Sequence, residues 1–260
     1  MRIWSTSVSM MFREFALLDR FMAARKAGFV GAEIQVLAEG DPQAMGGAAR
    51  AAEMDVVLIN VGMGDYLSGG SGLSGVPGRE ETFRAEMDKA LSAAMALGAR
   101  FIHLGPSRIP QGEDRERCLG VYRSNIDYAM GEHGRRGVGG RVLIEPMNRV
   151  ETPDALINDI DTGADFIRTH YPGGLGLQFD IYHVAMNGAD PVEAFARTAD
   201  VTAHVQFSDM PGRQPPGDGT LDFARIFDGL ERAGYKGWFG AEYMPRTPTL
   251  ETLDWMQRLG

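Results

Sequence analysis

The feature that most constrains this chain is an alternation. Short apolar runs of strand length give way, eight times from end to end, to longer segments in which apolar residues recur at helical spacing. That pattern belongs to a parallel sheet wrapped by helices. The candidate strands are residues 3–9, 31–35, 56–60, 100–104, 141–145, 174–180, 203–207 and 238–242. After the first, residues 15–24 repeat apolar side chains at helical spacing, and Ala27-Gly28-Phe29 supplies a helix-ending glycine; Leu97-Gly98-Ala99 and Ala233-Gly234-Tyr235 repeat that ending. Eight such units in 260 residues predict a (β/α)8 TIM barrel of the α/β class, a parallel eight-stranded barrel forming a single domain over residues 1–260. The competing fold, a doubly wound open sheet, would advertise a Gly-rich first turn, and Gly62-Met63-Gly64-Asp65-Tyr66-Leu67 lacks the third glycine.

Charge and cysteine content narrow the partners. With 26 Lys and Arg against 35 Asp and Glu, the net charge is −9, so the positive field that draws in phosphate backbones is missing. Nucleic acid and anionic membrane are therefore poor partners, and a small molecule is the better one; homo-oligomerisation is left open. The single Cys118 excludes an intramolecular disulfide and a Cys-rich zinc site, and reads as a buried thiol in a reducing cytosol. No apolar stretch has signal-peptide length, and none approaches the roughly 20 residues a bilayer requires. The expectation is a soluble, cytoplasmic protein.

Two loops stand out. Residues 62–78 hold seven glycines and follow the third strand, on the face where barrel enzymes keep their chemistry; a mobile lid is the functional reading and a disordered surface loop the plain one. Residues 211–219, after the seventh strand, contain three prolines and read as stiffer.

Four oxygen-bearing side chains close four consecutive candidate strands: Glu145, Asp180, Gln206 and Glu242. Their spacings of 35, 26 and 36 residues each approximate one strand-helix unit, so the same barrel position is sampled four times running. Singly, each reads equally well as a salt-bridge or loop-anchoring group. Together, after runs such as Val142-Leu143-Ile144, they are costly to bury unpaired, and three crowded carboxylates cannot all stay ionised without a cation between them. All-oxygen ligands suit a hard divalent metal ion, Mg²⁺ or Mn²⁺. His183, three residues past Asp180, and His204, two before Gln206 and so on the same side of its strand, are candidates for substrate oxygens or a metal-bound water. Arg213, in the stiff loop, is the cation placed for a substrate carboxylate. His103 ends the fourth strand near the same rim, whereas His133 and His170 lie near helix ends, where a surface position is expected. No nucleophile elbow or Gly-Lys-Ser/Thr phosphate loop is present, which lowers nucleophilic catalysis and nucleotide hydrolysis.

At these residues the chain resembles the xylose-isomerase-like barrel superfamily and, within it, the hydroxypyruvate isomerase family. The phrases that carry the resemblance are Ser9-Met10-Met11-Phe12, Gly28-Phe29 with Ala32-Glu33, Pro77-Gly78-Arg79, Leu143-Ile144-Glu145-Pro146-Met147-Asn148, Leu177-Gln178-Phe179-Asp180-Ile181-Tyr182-His183, His204-Val205-Gln206-Phe207-Ser208-Asp209-Met210-Pro211-Gly212-Arg213 and Gly237-Trp238-Phe239-Gly240-Ala241-Glu242-Tyr243. The resemblance implies interconversion of hydroxypyruvate and tartronate semialdehyde (2-hydroxy-3-oxopropanoate), with Glu145 and Glu242 as proton donor and acceptor. It also implies a divalent metal on Glu145, Asp180, Gln206 and Glu242. Histidine replaces the glutamine in the related ketose 3-epimerases, so Gln206 favours the hydroxypyruvate branch. Ser7 departs from the asparagine usual in relatives, and residues 108–110 match poorly. Relatives acting on 2-oxo-tetronate carry nearly the same motifs, and a non-catalytic sugar-acid binding protein is the alternative from another class. A DNA-repair endonuclease of the superfamily would need more His and Asp ligands and a basic surface.

Overall fold

The computed structural model describes residues 2–260 and shows a closed barrel of eight parallel strands in sequence order. The strands are β1 (Ile3–Ser7), β2 (Gly31–Ile34), β3 (Asp55–Asn60), β4 (Phe101–His103), β5 (Arg141–Ile144), β6 (Gly176–Asp180), β7 (Thr202–Phe207) and β8 (Trp238–Ala241). Closure comes from β1 against β8, with Trp4 opposite Phe239 and Thr6 opposite Ala241. All eight candidate strands are present, with ends set by local bonding. The first stops at Ser7 rather than residue 9 because the chain turns there, Ser7 accepting from Met10 N through its hydroxyl and from Met11 N through its carbonyl. The sixth starts at Gly176 rather than 174 because the Arg141 guanidinium takes the carbonyls of Gly174 and Leu175, both at 2.8 Å.

Around the barrel run α1 (Asp19–Lys26), α2 (Pro42–Ala51), α3 (Glu80–Leu97), α4 (Arg115–Arg136), α5 (Ile160–His170), α6 (Ile181–Met186), α7 (Pro191–Thr198), α8 (Phe223–Arg232) and α9 (Asp254–Leu259). Six begin on an aspartate that accepts backbone N–H groups of the first turn: Asp41, Asp114, Asp159, Asp180, Asp190 and Asp222. Each such cap contributes about 1 kcal/mol. Helices α3 and α4 end on Gly98 and Gly137 at φ 66° and 63°, a left-handed turn that glycine takes without strain. The first helix starts at Asp19, later than the apolar pattern suggests, because residues 12–16 are used in turns. No helix of the described residues is long and apolar enough to cross a membrane.

An aromatic cluster seals the β1–β8 seam. Trp4 meets Trp255, Phe227 and Phe207 edge-on at 5.2, 5.3 and 5.8 Å, which ties α9, α8 and β7 to the first strand. Edge-to-face pairs of this kind each contribute about 0.5–1.5 kcal/mol beyond their buried area. Cys118 is a free thiol buried on α4.

Candidate active site

The carboxyl ends of β5 to β8 converge on one buried polar cluster. Glu145 and Glu242 stand one residue past their strands and Asp180 ends its own, so the acids project from equivalent places around the mouth. Asp180 is fixed in place because one of its oxygens caps α6 by accepting from Tyr182 N at 2.9 Å. That cap starts a helix directly at the strand end and brings His183 back over the mouth. Ligand atoms of Glu145, Asp180 and His183 lie within 4.8 Å of one another and could hold a metal ion. His183 Nδ1 accepts from the backbone N–H and carboxamide of Asn148 at 3.2 and 2.8 Å. Its Nε2 faces Asp180 Oδ2 at 3.6 Å and Glu145 Oε1 at 3.9 Å.

Arg213 supplies the positive charge of the cluster. Its Nη1 donates to Glu242 Oε2 at 2.8 Å and to Asp180 Oδ2 at 3.4 Å, Nη2 lies 2.7 Å from His183 Nε2, and the guanidinium covers the Tyr182 ring at 4.7 Å. The 211–219 loop is built to put it there. Asp209 accepts from the backbone N–H groups of Met210, Gly217, Gly219 and Leu221 at 2.9–3.0 Å, and Arg213 O accepts from Met244 N at 3.0 Å.

The electrostatics follow from burial and crowding. Burial first, then the neighbouring charges of Asp180 and Glu242, push the Glu145 carboxyl well above its ordinary range against the pull of Arg213. Burial likewise raises Asp180, and it lifts Glu242 to about 7, with Arg213 again opposing. Burial, Arg213 and His103 hold His183 well below its usual value, and burial takes His103 down to about 3. Glu145 Oε1 is buried without a hydrogen-bond partner. An orphaned carboxylate oxygen, three crowded acids held above their ordinary range and an adjacent imidazole together form a donor set that fits a divalent cation.

The other residues picked from sequence are distributed as follows. Gln206 is fully buried; its Nε2 donates to Glu33 Oε2 at 2.7 Å and approaches Glu242 Oε1 at 3.4 Å, while its Oε1 accepts from Gln178 Nε2. His204 corrects the expectation of a substrate contact. It points to the same side of β7 as Gln206, but one layer deeper, where its Nε2 donates to Glu33 Oε1 at 2.9 Å and the ring is 0% exposed. His103 Nε2 lies 3.8 Å from Glu145 Oε2, while His170 is exposed and His133 half-buried.

The glycine-rich loop is neither disordered nor detached. Arg108 donates to the carbonyls of Tyr66 and Gly70 at 3.0 and 2.6 Å and stacks on the Tyr66 ring at 4.0 Å; Ser74 Oγ donates to Gly105 O at 2.8 Å; Asn125 donates to Ser74 O at 3.0 Å. Glycine here permits tight packing, and residues 73–76 are buried. The loop leaves the Tyr66 hydroxyl buried and unpartnered. Sequence reasoning missed Tyr66, Asn148 and Glu33 as site components. Glu33 carries a usable signal, a lone acid in the short strand Gly31-Ala32-Glu33-Ile34, whereas Tyr66 depends on loop packing that no spacing encodes.

A hollow of about 900 Å³ lies at the opposite end of the barrel, lined by residues including Arg50, Asp55, Arg100 and Trp238, and in it Arg100 donates to Asp55 at 3.0 Å. The convergent acids lie only at the other mouth among the described residues.

The model of the xylose isomerase-like TIM barrel family matches residues 21–259. The chain belongs to that family. It is 33% identical to a 2-oxo-tetronate isomerase of Cupriavidus necator, over 98% of this chain and 97% of the relative. It is 30% identical to the hydroxypyruvate isomerase of Escherichia coli, over 97% of each. Among solved structures, a Brucella melitensis protein described as a family 2 AP endonuclease superposes with a TM-score of 0.92 at 31% identity, covering 99% of both chains.

Proposed function

We propose that this protein is an isomerase interconverting hydroxypyruvate and 2-hydroxy-3-oxopropanoate, or the one-carbon-longer 2-oxo-tetronate pair, by proton transfer between adjacent carbons. The observation that carries the reading is the set of buried acids around Arg213, with Glu242 lifted to about 7 by burial. A carboxyl near neutrality is suited to take and return a carbon-bound proton. The relatives named as isomerases support the substrate class.

Glu145 and Glu242 leave β5 and β8, which are separated by β6 and β7 on one arc and by β1 to β4 on the other. A short substrate between them has one glutamate near each reacting carbon. One takes the proton from the carbinol carbon to form an enediolate, the other delivers a proton to the former carbonyl carbon, and the hydroxyl proton passes from the old carbinol oxygen to the new one. Arg213 would turn from the acids to the substrate carboxylate, a planar group its fork matches. His183, held from behind by Asn148, presents Nε2 to the substrate oxygens. Glu145, Asp180, Gln206 and Glu242 would hold a divalent ion, Mg²⁺ or Mn²⁺, with His183 beside them; when bound, such an ion stabilises the charge developing on the substrate oxygens.

The test is proton NMR of the protein with hydroxypyruvate, 2-oxo-tetronate and a ketose offered separately in deuterated water. Isomerisation of a sugar acid with deuterium entering carbon supports the reading. Reaction of the ketose alone would make the protein a 3-epimerase, and binding without exchange would make it a sugar-acid binder. Cleavage of abasic-site DNA would favour an endonuclease, against which the net charge of −9 already argues.

A further inference from the structure

We propose that Glu33, one layer below the mouth, is a positioning residue that sets which end of the Gln206 carboxamide faces a bound cation. The inference rests on Gln206 as a cation ligand in the reading above. The Glu33 carboxylate is 0% exposed and fully engaged: Oε1 accepts from Ser5 Oγ at 2.6 Å and His204 Nε2 at 2.9 Å, and Oε2 accepts from Gln206 Nε2 at 2.7 Å. Committing the amide nitrogen to a carboxylate turns the amide oxygen the other way, where it accepts from Gln178 Nε2 and keeps its second lone pair for a cation. The flipped amide would set that oxygen against Glu33, an acceptor facing an acceptor in a dry interior. The barrel makes room for the device. A Cβ at position 240 would stand 2.0 Å from Glu33 Oε1, so the bare backbone of Gly240 on β8 is what admits the acid. Three donors converge on its two oxygens, so the carboxylate faces Gln206 as an acceptor.

The experiment measures Mn²⁺ affinity by calorimetry on folded protein without substrate, together with the side-chain amide resonances of Gln206 in the metal-free state. Glu33→Gln replaces one acceptor oxygen by an N–H that opposes either His204 or Gln206. It is expected to weaken Mn²⁺ binding by about tenfold or more, the usual effect of losing a residue that orients a ligand, and to move the Gln206 amide proton upfield. Gln206→Glu adds negative charge at the cation, yet sets two carboxylates face to face; it is expected to bind Mn²⁺ more weakly than wild type. Combining it with Glu33→Gln restores a donor opposite an acceptor and should recover most of the loss. A ligand-charge account predicts the opposite order, with Gln206→Glu binding tightest. Unchanged affinity in Glu33→Gln, or a double variant no better than Gln206→Glu or unable to fold, overturns the proposal while leaving the isomerase reading intact. A wild-type protein that binds no Mn²⁺ instead removes the cation reading, and the role of Glu33 with it.

Discussion

Glu33 and Glu145 are both buried in the same barrel, yet their carboxyls shift in opposite directions. Glu33 lies below the ordinary carboxylate range and Glu145 well above it. Burial raises both, so burial does not decide the difference. Partners do: Glu33 receives hydrogen bonds from Ser5, His204 and Gln206, whereas Glu145 has one oxygen with no partner and faces Asp180 and Glu242. In the lower layer the carboxylate has donors on both oxygens, and in the upper layer it does not. An unfinished cluster of acids has a structural cost, and in a barrel mouth that cost marks the place where a ligand completes it.

The comparison breaks first on stability. Glu33→Ala strands the donors of Ser5, His204 and Gln206 and leaves a hole, so unfolding in denaturant should show a loss of about 3–5 kcal/mol. Glu145→Gln, in the upper layer, relieves like-charge crowding and should leave metal-free stability unchanged or raised. Equal losses at both sites would erase the distinction between the layers.

Activity should invert that order. Glu242→Gln keeps the side-chain shape but removes the basicity, and the isomerisation rate should fall by at least about 10²-fold, the usual contribution of a general acid or base. Near-normal turnover with metal bound would move the proton-transfer role elsewhere, with His183 the first residue to examine.

Stability against pH sharpens the contrast without mutation. Glu242, at about 7 when folded against 4.5 as a free side chain, and Glu145, held well above its ordinary range, keep protons that the unfolded chain sheds. Stability therefore falls as pH climbs from 4.5 through 7 on their account. The buried His103 and His183 act in the other sense, staying neutral where the unfolded chain is protonated, so their contribution grows with pH through 6.5 and is complete about one unit above it. Between pH 6.5 and 8 the two trends oppose each other, and the metal-free protein should stay level or lose stability. Saturating Mg²⁺ should remove the acids' share and leave a rise of about 1 kcal/mol over that interval. A metal-free profile that rises as much as the Mg²⁺-saturated one would show that the upper acids are not crowded in solution.

The smallest expected effect concerns Arg213→Ala. A carboxylate clamp acts in ground and transition states alike, so the Michaelis constant should rise by about tenfold while turnover changes by less. An effect on turnover alone would tie Arg213 to the acids rather than to substrate.

The barrel was legible because its signal is repeated eight times, and an error at one strand end leaves the pattern standing. The acids at 145, 180 and 242 were legible for a related reason, each following an apolar strand at one-unit spacing. What spacing could not show was depth. His204 and Gln206 share a side of β7, yet one lies at the mouth and the other beneath it, because a strand climbs about 6.6 Å over two residues. Nor could glycine content distinguish a mobile loop from one that Arg108 and Asn125 fasten down, since glycine serves both.

The most direct test of the central claim, that the unfinished upper layer is the proton-transfer site of an isomerase, is deuterium incorporation followed by proton NMR. Hydroxypyruvate and 2-oxo-tetronate are incubated separately with the protein in deuterated water, with Mg²⁺ or after exhaustive chelation. The account predicts isomerisation of at least one acid, with deuterium at the carbon that gains a proton, and loss of both signals on chelation. Isomerisation undiminished after chelation, or exchange into neither substrate with metal present, would contradict it.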